Sequence, residues 1–285
     1  MSFTGLEFHG GDPYSDELQV AVAAAREAGV DLLHRSASGF SLLDKADRTT
    51  LTDADLASEQ ILLSHLRCRF PHDGVLSEEA GRAAEGERTW VLDPLDGTTN
   101  FSRGLPFFAV SVGLLVGSEP AVAAIYLPKL GELFTATRDG VACLNGQPIR
   151  VSPLGDVAQA MVNVYFDRRN ALEQGLDLHR RIALTCEGRV KTMGSTASML
   201  CYVACGRLDA FARSVTKIFD FVAGLLIVER AGGRVTDFTG MPLRRTGQSI
   251  LATNGHLHPA LQRAARGGGL GHEQSFGDQE SEGTG

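Results

Sequence analysis

The chain has 285 residues and a formal net charge of −7, with 43% hydrophobic and 21% charged residues. This is the composition of an ordinary globular protein with one large core or two closely packed subdomains. The longest apolar stretch, residues 105–116, is shorter than the roughly 20 residues that a membrane helix needs, and no basic and apolar signal opens the chain. We therefore expect a cytoplasmic protein without a membrane partner.

Much of the negative charge lies at the C-terminal end. Residues 267–285 contain four acidic residues and no Lys or Arg, so they contribute −4 of the total charge of −7. Glycine is frequent there, and the two sizeable apolar side chains, Leu270 and Phe276, cannot offset the entropy of ordering the segment. We predict a disordered acidic tail over residues 267–285, with a partner-binding peptide as the alternative.

The cysteines and histidines give no sign of a zinc site. The five cysteines form no C-x-x-C pair, and the eight histidines form no H-E-x-x-H motif. Cys201 and Cys205 are one helical turn apart, a spacing that fits core packing better than metal binding when no second ligand pair is present. We expect reduced thiols in the core.

The N-terminal half begins with helical patterns and continues with strands. Apolar spacing predicts a helix over residues 16–34, and a second helix over residues 53–69 that Asp53 could cap. Residues 75–151 are rich in strand patterns, and Asn145-Gly146 is the best hairpin turn among them.

The C-terminal half alternates differently. The pattern predicts helices over residues 171–186 and 196–205, strands over residues 190–193 and 208–212, and a buried helix over residues 220–231 that begins at Asp220. Periodicity alone establishes only a mixed α/β protein, without a layer order.

Residues 93–101, with the sequence DPLDGTTNF, contain the most informative pattern. A buried strand ends at Asp93, and Pro94 is expected to break the ladder so that Asp93 and Asp96 face one point. Paired carboxylates suit a hard divalent cation, while Gly97 and the first turn of a following helix could approach a phosphate. The string alone also fits an ordinary Asp-Gly turn with an Asx cap.

The same string resembles the signature of the inositol monophosphatase family, and further segments resemble that family in the same order. These segments are residues 45–55, with Lys45, Asp53 and Asp55, then SEE at 77–79, GSTA at 194–197 and IFDFVAG at 218–224. With residues 103–108 and 144–149, the resemblance extends over about residues 15–265.

The resemblance implies a metal-dependent phosphatase site. Glu78, Asp93 and the backbone carbonyl of Leu95 would hold one Mg²⁺, and Asp93, Asp96 and Asp220 a second. Two or three ions fit the family pattern, and Mn²⁺ suits the same oxygen ligands.

The resemblance also implies the groups that act on the substrate. Asp55, Thr98 and Glu78 would be catalytic, with Thr98 hydrogen-bonded to Asp55 and activating the attacking water. The substrate would contact residues on several segments: Asp96, Gly97, Thr98, Gly194, Thr196, Arg213 and Asp220. Glu79 could serve a third metal or be a solvated acid, Lys45 is a weaker assignment, and Asp47 and Asp53 are expected to be surface charges or caps.

The fold implied is the layered α-β-α-β-α sandwich of the inositol monophosphatase and fructose-1,6-bisphosphatase type, an α/β (α+β) fold. We expect an N-terminal subdomain over residues 1–151 with most metal ligands and a C-terminal subdomain over residues 152–266 that completes the site. The family is commonly a homodimer and is commonly inhibited by lithium.

The substrate is less clear, because animal members have a Glu where this chain has Arg213. Arg pairs with carboxylates and phosphates, so Arg213 could accept an anionic leaving group such as the second phosphate of fructose 1,6-bisphosphate. Lys217 would follow one helical turn later if the segment is helical. Alternatively, both are surface charges on a variable loop. The first expectation for the substrate is inositol monophosphate, with fructose-1,6-bisphosphatase or dual inositol and fructose bisphosphate phosphatase activity as the alternative.

Three other functions remain as alternatives. Histidinol phosphate is disfavoured by the charge of Arg213, and 3′-phosphoadenosine nucleotides by Thr99-Asn100, which is the pattern of the inositol branch. Some bacterial members bind RNA polymerase and act in antitermination. The chain has no basic face for nucleic acid, so we expect a small phosphorylated polyol or sugar as its partner.

Overall fold

The computed structural model describes residues 11–44, 50–82, 86–166, 172–244 and 246–267. Seven helices occur in these ranges: Ser15–Ser38 (α1), Asp53–Arg69 (α2), Thr98–Ser102 (α3), Leu172–Thr185 (α4), Thr196–Ala204 (α5), Ile218–Arg230 (α6) and His258–Arg266 (α7). The strands there are Leu42–Asp44 (β1), Thr50–Thr52 (β2), Gly74–Ser77 (β3), Gly81–Arg82 (β4), Arg88–Asp96 (β5), Ala109–Val116 (β6), Glu119–Leu127 (β7), Glu132–Thr137 (β8), Cys143–Leu144 (β9), Gln147–Pro148 (β10), Val162–Tyr165 (β11), Val190–Lys191 (β12), Ala210–Arg213 (β13), Arg234–Thr236 (β14) and Ile250–Thr253 (β15).

Two large sheets organise these elements. The first has eight strands in the order β10-β9-β8-β7-β6-β5-β3-β4, antiparallel except where β3 runs parallel to β5. The second has five strands in the order β12-β11-β13-β15-β14, with β11 parallel to both β12 and β13. A short β1-β2 ribbon precedes α2.

Three helical layers alternate with the two sheets. Helices α1 and α2 pack on one face of the eight-stranded sheet, and α6 packs on its other face. Helices α5 and α6 form the middle layer and also contact the five-stranded sheet. The outer face of that sheet carries α4 and α7. The predicted α-β-α-β-α sandwich is therefore confirmed.

The alternation of side chains along the strands produces one core on each side of the large sheet. On β6, Val110, Val112 and Leu114 lie in the core beneath α1 and α2, whereas Ala109 faces the central core with α5 and α6. This follows from the period of two in a strand, which sends neighbouring side chains to opposite faces.

Helix α6 lies in the middle of the molecule and is buried for most of its length. Between Asp220 near its start and Glu229 near its end it is apolar all round, as expected for a helix enclosed between two sheets. Close approach depends on small residues: a Cβ on Gly113 of β6 would lie 3.0 Å from Val222 Cγ1, and one on Gly224 would lie 2.5 Å from Leu200. The central layer is thus tightly packed directly beside the segment that carries Asp220.

Most predicted elements are present, with the expected differences of a few residues at their ends. The hairpin turn is confirmed, because Asn145 and Gly146 have φ angles of 50° and 80° between β9 and β10. Cys201 is buried in the central core, Cys205 packs against it, and all five cysteines are free thiols.

Four sequence expectations were wrong in detail. Strand β5 continues through Pro94 to Asp96 instead of ending at Asp93. Thr52 rather than Asp53 caps α2, and α6 begins at Ile218, so that Asp220 is its third residue. Residues 214–217 are not helical, so Lys217 does not follow Arg213 by a helical turn.

Two predictions remain untested by the fold. The proposed boundary at residue 151 falls between β10 and β11, which belong to different sheets, and the two-subdomain division stays a prediction. The predicted disorder concerns residues 267–285, of which 268–285 lie outside the described residues, as do Lys45 and Asp47. In the described ranges, no helix combines the length and apolarity needed to cross a membrane.

Candidate active site

A bulge in β5 places two carboxylates on the same face of the large sheet. Asp93 pairs with Ser111 of β6 and Asp96 pairs with Ala109, so three residues of β5 are matched to two residues of β6. Without the extra residue, positions 93 and 96 would face opposite sides. Pro94 fits this irregular ladder, and its carbonyl accepts a hydrogen bond of 2.7 Å from the buried Ser58 hydroxyl.

Gly97 follows the bulge and permits the turn into α3. Its φ of 90° is in the left-handed region, and a Cβ there would lie 2.8 Å from the carbonyl oxygen of Phe107. The same carbonyl accepts a hydrogen bond of 2.7 Å from Asn100 Nδ2. Any side chain at position 97 would therefore disrupt the packing of the loop against α3.

Thr98 and Asp55 form the hydroxyl–carboxylate pair that the family resemblance implied. Thr98 Oγ1 lies 3.1 Å from Asp55 Oδ1 and 3.1 Å from the carbonyl oxygen of Leu95. The other oxygen of Asp55 accepts bonds of 2.7 Å and 2.6 Å from the backbone N–H and the hydroxyl of Thr52. The capping box of α2 therefore fixes Asp55 while leaving its second oxygen directed at Thr98.

Asp96 connects the large sheet to the C-terminal half. Its Oδ2 accepts a hydrogen bond of 2.7 Å from the Ser195 hydroxyl and one of 2.6 Å from the backbone N–H of Ala197. Ser195 caps α5 and has a φ of 72°, an uncommon conformation for a residue other than glycine. Such backbone conformations concentrate at functional sites, where surrounding contacts hold them.

Asp220 is held by an arginine at the end of β13. Arg213 Nη1 lies 2.8 Å from Asp220 Oδ2 and 2.8 Å from Thr196 Oγ1. The Arg213 guanidinium carbon lies 5.1 Å from the centroid of the Tyr165 ring, and the backbone N–H of Lys217 also bonds to Asp220 at 3.1 Å. Arg213 is thus built into the site and is not a surface charge.

Glu78 forms an ion pair with Lys217, the second cation of the site. Lys217 Nζ lies 2.9 Å from Glu78 Oε1, and the same ammonium lies 5.3 Å from the centroid of the Phe219 ring. Glu78 directly follows β3, and its backbone N–H bonds to the carbonyl of Leu92 on the parallel strand β5. The β3–β5 pairing therefore brings Glu78 beside the bulge.

The buried acids raise one another's pKa. Burial raises the pKa of Asp93 well above its usual range, and Glu78, Asp96, Asp220 and Asp55 add to the rise. Burial, with Asp220, raises the pKa of Asp96 to about 7. Burial also raises the pKa of Asp220, although Arg213 opposes this effect. Several like charges in one buried place are costly unless an opposite charge joins them.

Comparison with known proteins gives this arrangement a family. Residues 14–268 match the model of the inositol monophosphatase family. The chain belongs to the inositol monophosphatase family. Membership identifies it as an enzyme, a phosphatase of the phosphoric monoester hydrolase class.

Individual relatives support the same assignment. The chain is 37% identical to inositol monophosphatase 2 of Solanum lycopersicum, over 87% of this chain and 97% of the relative. It is 35% identical to Nus factor SuhB of Xylella fastidiosa, over 90% of this chain and 96% of the relative. The solved inositol monophosphatase of Anabaena (Nostoc) superposes with a TM-score of 0.78 at 34% identity, over 88% and 95% of the two chains.

The donor set fits the metal that the inositol monophosphatase family uses. Asp93, Asp96 and Asp220 are buried carboxylates of mutually raised pKa, and oxygen ligands of this kind suit hard divalent cations. In the described part of the chain, however, no three His, Cys, Asp or Glu side chains form a preassembled metal-binding group. Asp220 instead forms an ion pair with Arg213, and Glu78 forms one with Lys217.

Most of the residues predicted from the sequence contact one another or a neighbour in the site. Thr98 contacts Asp55, Arg213 contacts both Asp220 and Thr196, and a Cβ on Gly194 would lie 3.2 Å from Asn100 Nδ2. The sequence reasoning missed the Ser195 and Ala197 contacts of Asp96. It also missed the Lys217 bond to Glu78, because no local pattern indicates a pair of residues 139 positions apart.

Proposed function

We propose that this inositol monophosphatase family member is a Mg²⁺-dependent phosphomonoesterase that hydrolyses inositol monophosphate to inositol and phosphate. The observation that carries the proposal is the bulge at Asp93 and Asp96, which sets two buried carboxylates on one face beside the Thr98–Asp55 pair.

We assign the ligands by the family pattern. Glu78, Asp93 and the Leu95 carbonyl would hold one Mg²⁺, and Asp93, Asp96 and Asp220 would hold another. Bound metal would activate a water and neutralise the leaving alkoxide. Mn²⁺ fits the same oxygen ligands and is expected to replace Mg²⁺ in the assay.

The chain's own contribution to proton transfer would come from Thr98 and Asp55. Thr98 donates its hydroxyl hydrogen towards Asp55 Oδ1 at 3.1 Å, which leaves the lone pairs of Oγ1 available to a neighbouring water. In this scheme Thr98 accepts the water's proton while its own proton moves to Asp55. Thr52 holds the far oxygen of Asp55 and keeps the carboxylate in position.

Substrate contacts would surround this centre. The backbone N–H groups of Gly97 and Thr98 are proposed to bind the phosphate, and the left-handed φ of 90° at Gly97 permits the turn that presents them. Gly194 and Thr196 would border the polyol. The bonds from Arg213 to Asp220 and Thr196 favour a positioning role for Arg213 beside the substrate.

A second candidate substrate, fructose 1,6-bisphosphate, is favoured by one observation. The segment from β13 to α6 brings two cations, Arg213 and Lys217, to the same carboxylate cluster. Lys217 is the more open of the two, with a side chain 41% exposed against 15% for Arg213. Such a cation could meet a second phosphate.

The test is phosphate release from inositol 1-phosphate, fructose 1,6-bisphosphate, histidinol phosphate and 3′-phosphoadenosine 5′-phosphate, each with Mg²⁺, Mn²⁺ or EDTA. The proposal expects metal-dependent turnover with inositol 1-phosphate as the best substrate. Preference for the bisphosphate, together with a changed ratio of the two activities in Arg213→Glu, would establish the second candidate. Metal-independent turnover would contradict the carboxylate assignment.

A regulatory role must be separated from catalysis, because relatives named as Nus factors and as inositol monophosphatases are similarly identical to this chain. Asp93→Asn keeps the shape of the side chain and removes a central ligand. If the biological role of the protein depends on catalysis, this variant loses it, whereas a purely regulatory protein would keep it.

We also propose a homodimer, as is common in the family, and light scattering of the purified protein tests it.

A further inference from the structure

We propose that Lys217 is a tethered cation that competes with the metal for Glu78 and thereby sets the metal affinity of the site. The inference rests on the proposed function, since it takes Glu78 to be a ligand. The observation is the 2.9 Å contact between Lys217 Nζ and Glu78 Oε1, in which Glu78 is the more buried partner, with 18% of its side chain exposed.

The backbone of Lys217 is fixed, so its ammonium cannot move far from the site. Lys217 is the N-terminal cap of α6, and its backbone N–H bonds to the Asp220 side chain. The residue that anchors Lys217 is therefore itself a proposed metal ligand. Only the flexible part of the Lys217 side chain is available to move when a metal approaches Glu78.

Phe219 already contacts the Lys217 ammonium where it lies beside Glu78, and can hold it when Glu78 is lost. Its ring centroid lies 5.3 Å from Lys217 Nζ, within the range of a cation–π interaction. An ammonium that leaves Glu78 would stay over this ring at the edge of the site. There it would still repel a bound divalent cation, which lowers metal affinity further.

Arg213 differs from Lys217 in this respect. It holds Asp220 but also bonds to Thr196 and stacks on Tyr165, and only 15% of its side chain is exposed. Several simultaneous contacts retain Arg213 when one is lost, whereas the Lys217 side chain is 41% exposed and has room to leave Glu78. Lys217 is thus the cation that a metal can displace.

The experiment measures Mn²⁺ dissociation constants of the wild-type protein and Lys217→Met by electron paramagnetic resonance of free Mn²⁺, without substrate. We expect Lys217→Met to bind Mn²⁺ about three- to tenfold more tightly, because an opposing charge is removed from a partly exposed site. Lys217→Arg, which keeps the charge, should stay within about twofold of wild type. Lys129→Met, at an exposed lysine after β7, is the matched control and should not change the constant.

The outcomes separate this inference from the proposed function. Equal Mn²⁺ affinity in wild type and Lys217→Met, with both folded by circular dichroism, would overturn the competition while leaving the metal site intact. Absence of Mn²⁺ binding in wild type would overturn the metal site itself. If Lys217→Met does not fold, Lys217→Gln provides the same comparison, and weaker binding in either neutral variant would also contradict the inference.

Discussion

Two buried polar clusters show opposite ways of placing titratable groups inside one protein. In the carboxylate cluster, Asp93, Asp96 and Asp220 lie together and their pKa values are raised. In the C-terminal half, His258 is fully buried between two hydroxyls, with Nε2 at 3.0 Å from Thr236 Oγ1 and Nδ1 at 3.0 Å from Thr253 Oγ1.

The difference between them is the charge of the groups that surround each buried side chain. Burial, with a smaller effect of Arg234, lowers the pKa of His258 to about 4, so the imidazole is neutral at pH 7 and both ring nitrogens are hydrogen-bonded. The carboxylates have neighbours of the same charge, which favours an added cation. This difference supports the proposal that the first cluster binds a metal, whereas the second contributes to packing.

The largest expected effect is that of Asp93→Asn, which removes one central charge from the carboxylate cluster. Activity should fall by about a thousandfold or more, because a ligand shared by both proposed metal positions is lost. Metal-free Asp93→Asn should nevertheless melt at a higher temperature than metal-free wild type at pH 8. The pKa of Asp93 is raised on folding, so its ionised form opposes folding as pH rises above the usual carboxyl range.

Calorimetry at pH 4 and pH 8, with EDTA and with Mg²⁺, checks the Asp93 prediction. Near pH 4 the two metal-free proteins should melt alike. Mg²⁺ should raise the melting temperature of wild type far more than that of Asp93→Asn. A metal-free variant that melts well below wild type at pH 8 would indicate that Asp93 has a structural role instead.

The second prediction concerns His258, whose effect should appear in stability and not in catalysis. Because its pKa is about 4 in the folded protein and about 6.5 in an unfolded chain, stability is complete above pH 6.5 and is lost as pH falls towards 4. The loss from this group should reach about 3 kcal/mol. His258→Gln should flatten that pH dependence in urea titrations, while the exposed His34→Gln should leave it unchanged.

The third and smallest expected effect concerns the Thr98 hydroxyl, and it separates proton transfer from metal binding by the acidic residues. Thr98→Val removes the hydroxyl bonded to Asp55 but keeps the shape, and we expect the turnover number to fall about ten- to a hundredfold. Mn²⁺ affinity should change little, since no acidic ligand is altered. The neighbouring exposed Thr99→Val is the control, and equal turnover in the two variants would contradict the role of Thr98.

Much of the fold followed from local patterns, because helices and hairpins carry short-range signals. The N-terminal helices and the Asn145-Gly146 turn were predictable from spacing and turn chemistry. The layer order was not, since the side of the sheet on which a helix packs depends on the whole chain. It came from the family resemblance, and the solved Anabaena relative bears it out.

The errors near the site have specific causes. Pro94 was expected to end β5, but Ser58 satisfies its carbonyl and the bulge accommodates its ring within the strand. Asp220 was expected at the first position of α6, but the helix begins at Ile218, and Asp220 at the third position accepts a bond from the backbone N–H of Lys217. In both places a tertiary contact or a backbone bond decided a boundary that residue type alone left open.

The two bonds of Asp96 across the molecule have a consequence for evolution and engineering. Its Oδ2 accepts bonds from Ser195 and Ala197 at the start of α5. A single carboxylate oxygen on β5 therefore connects the N-terminal and C-terminal halves of the site. Replacing Asp96 to change metal preference would also loosen that connection. New specificities are therefore more accessible at Arg213, whose bonds to Asp220 and Thr196 stay within the C-terminal half.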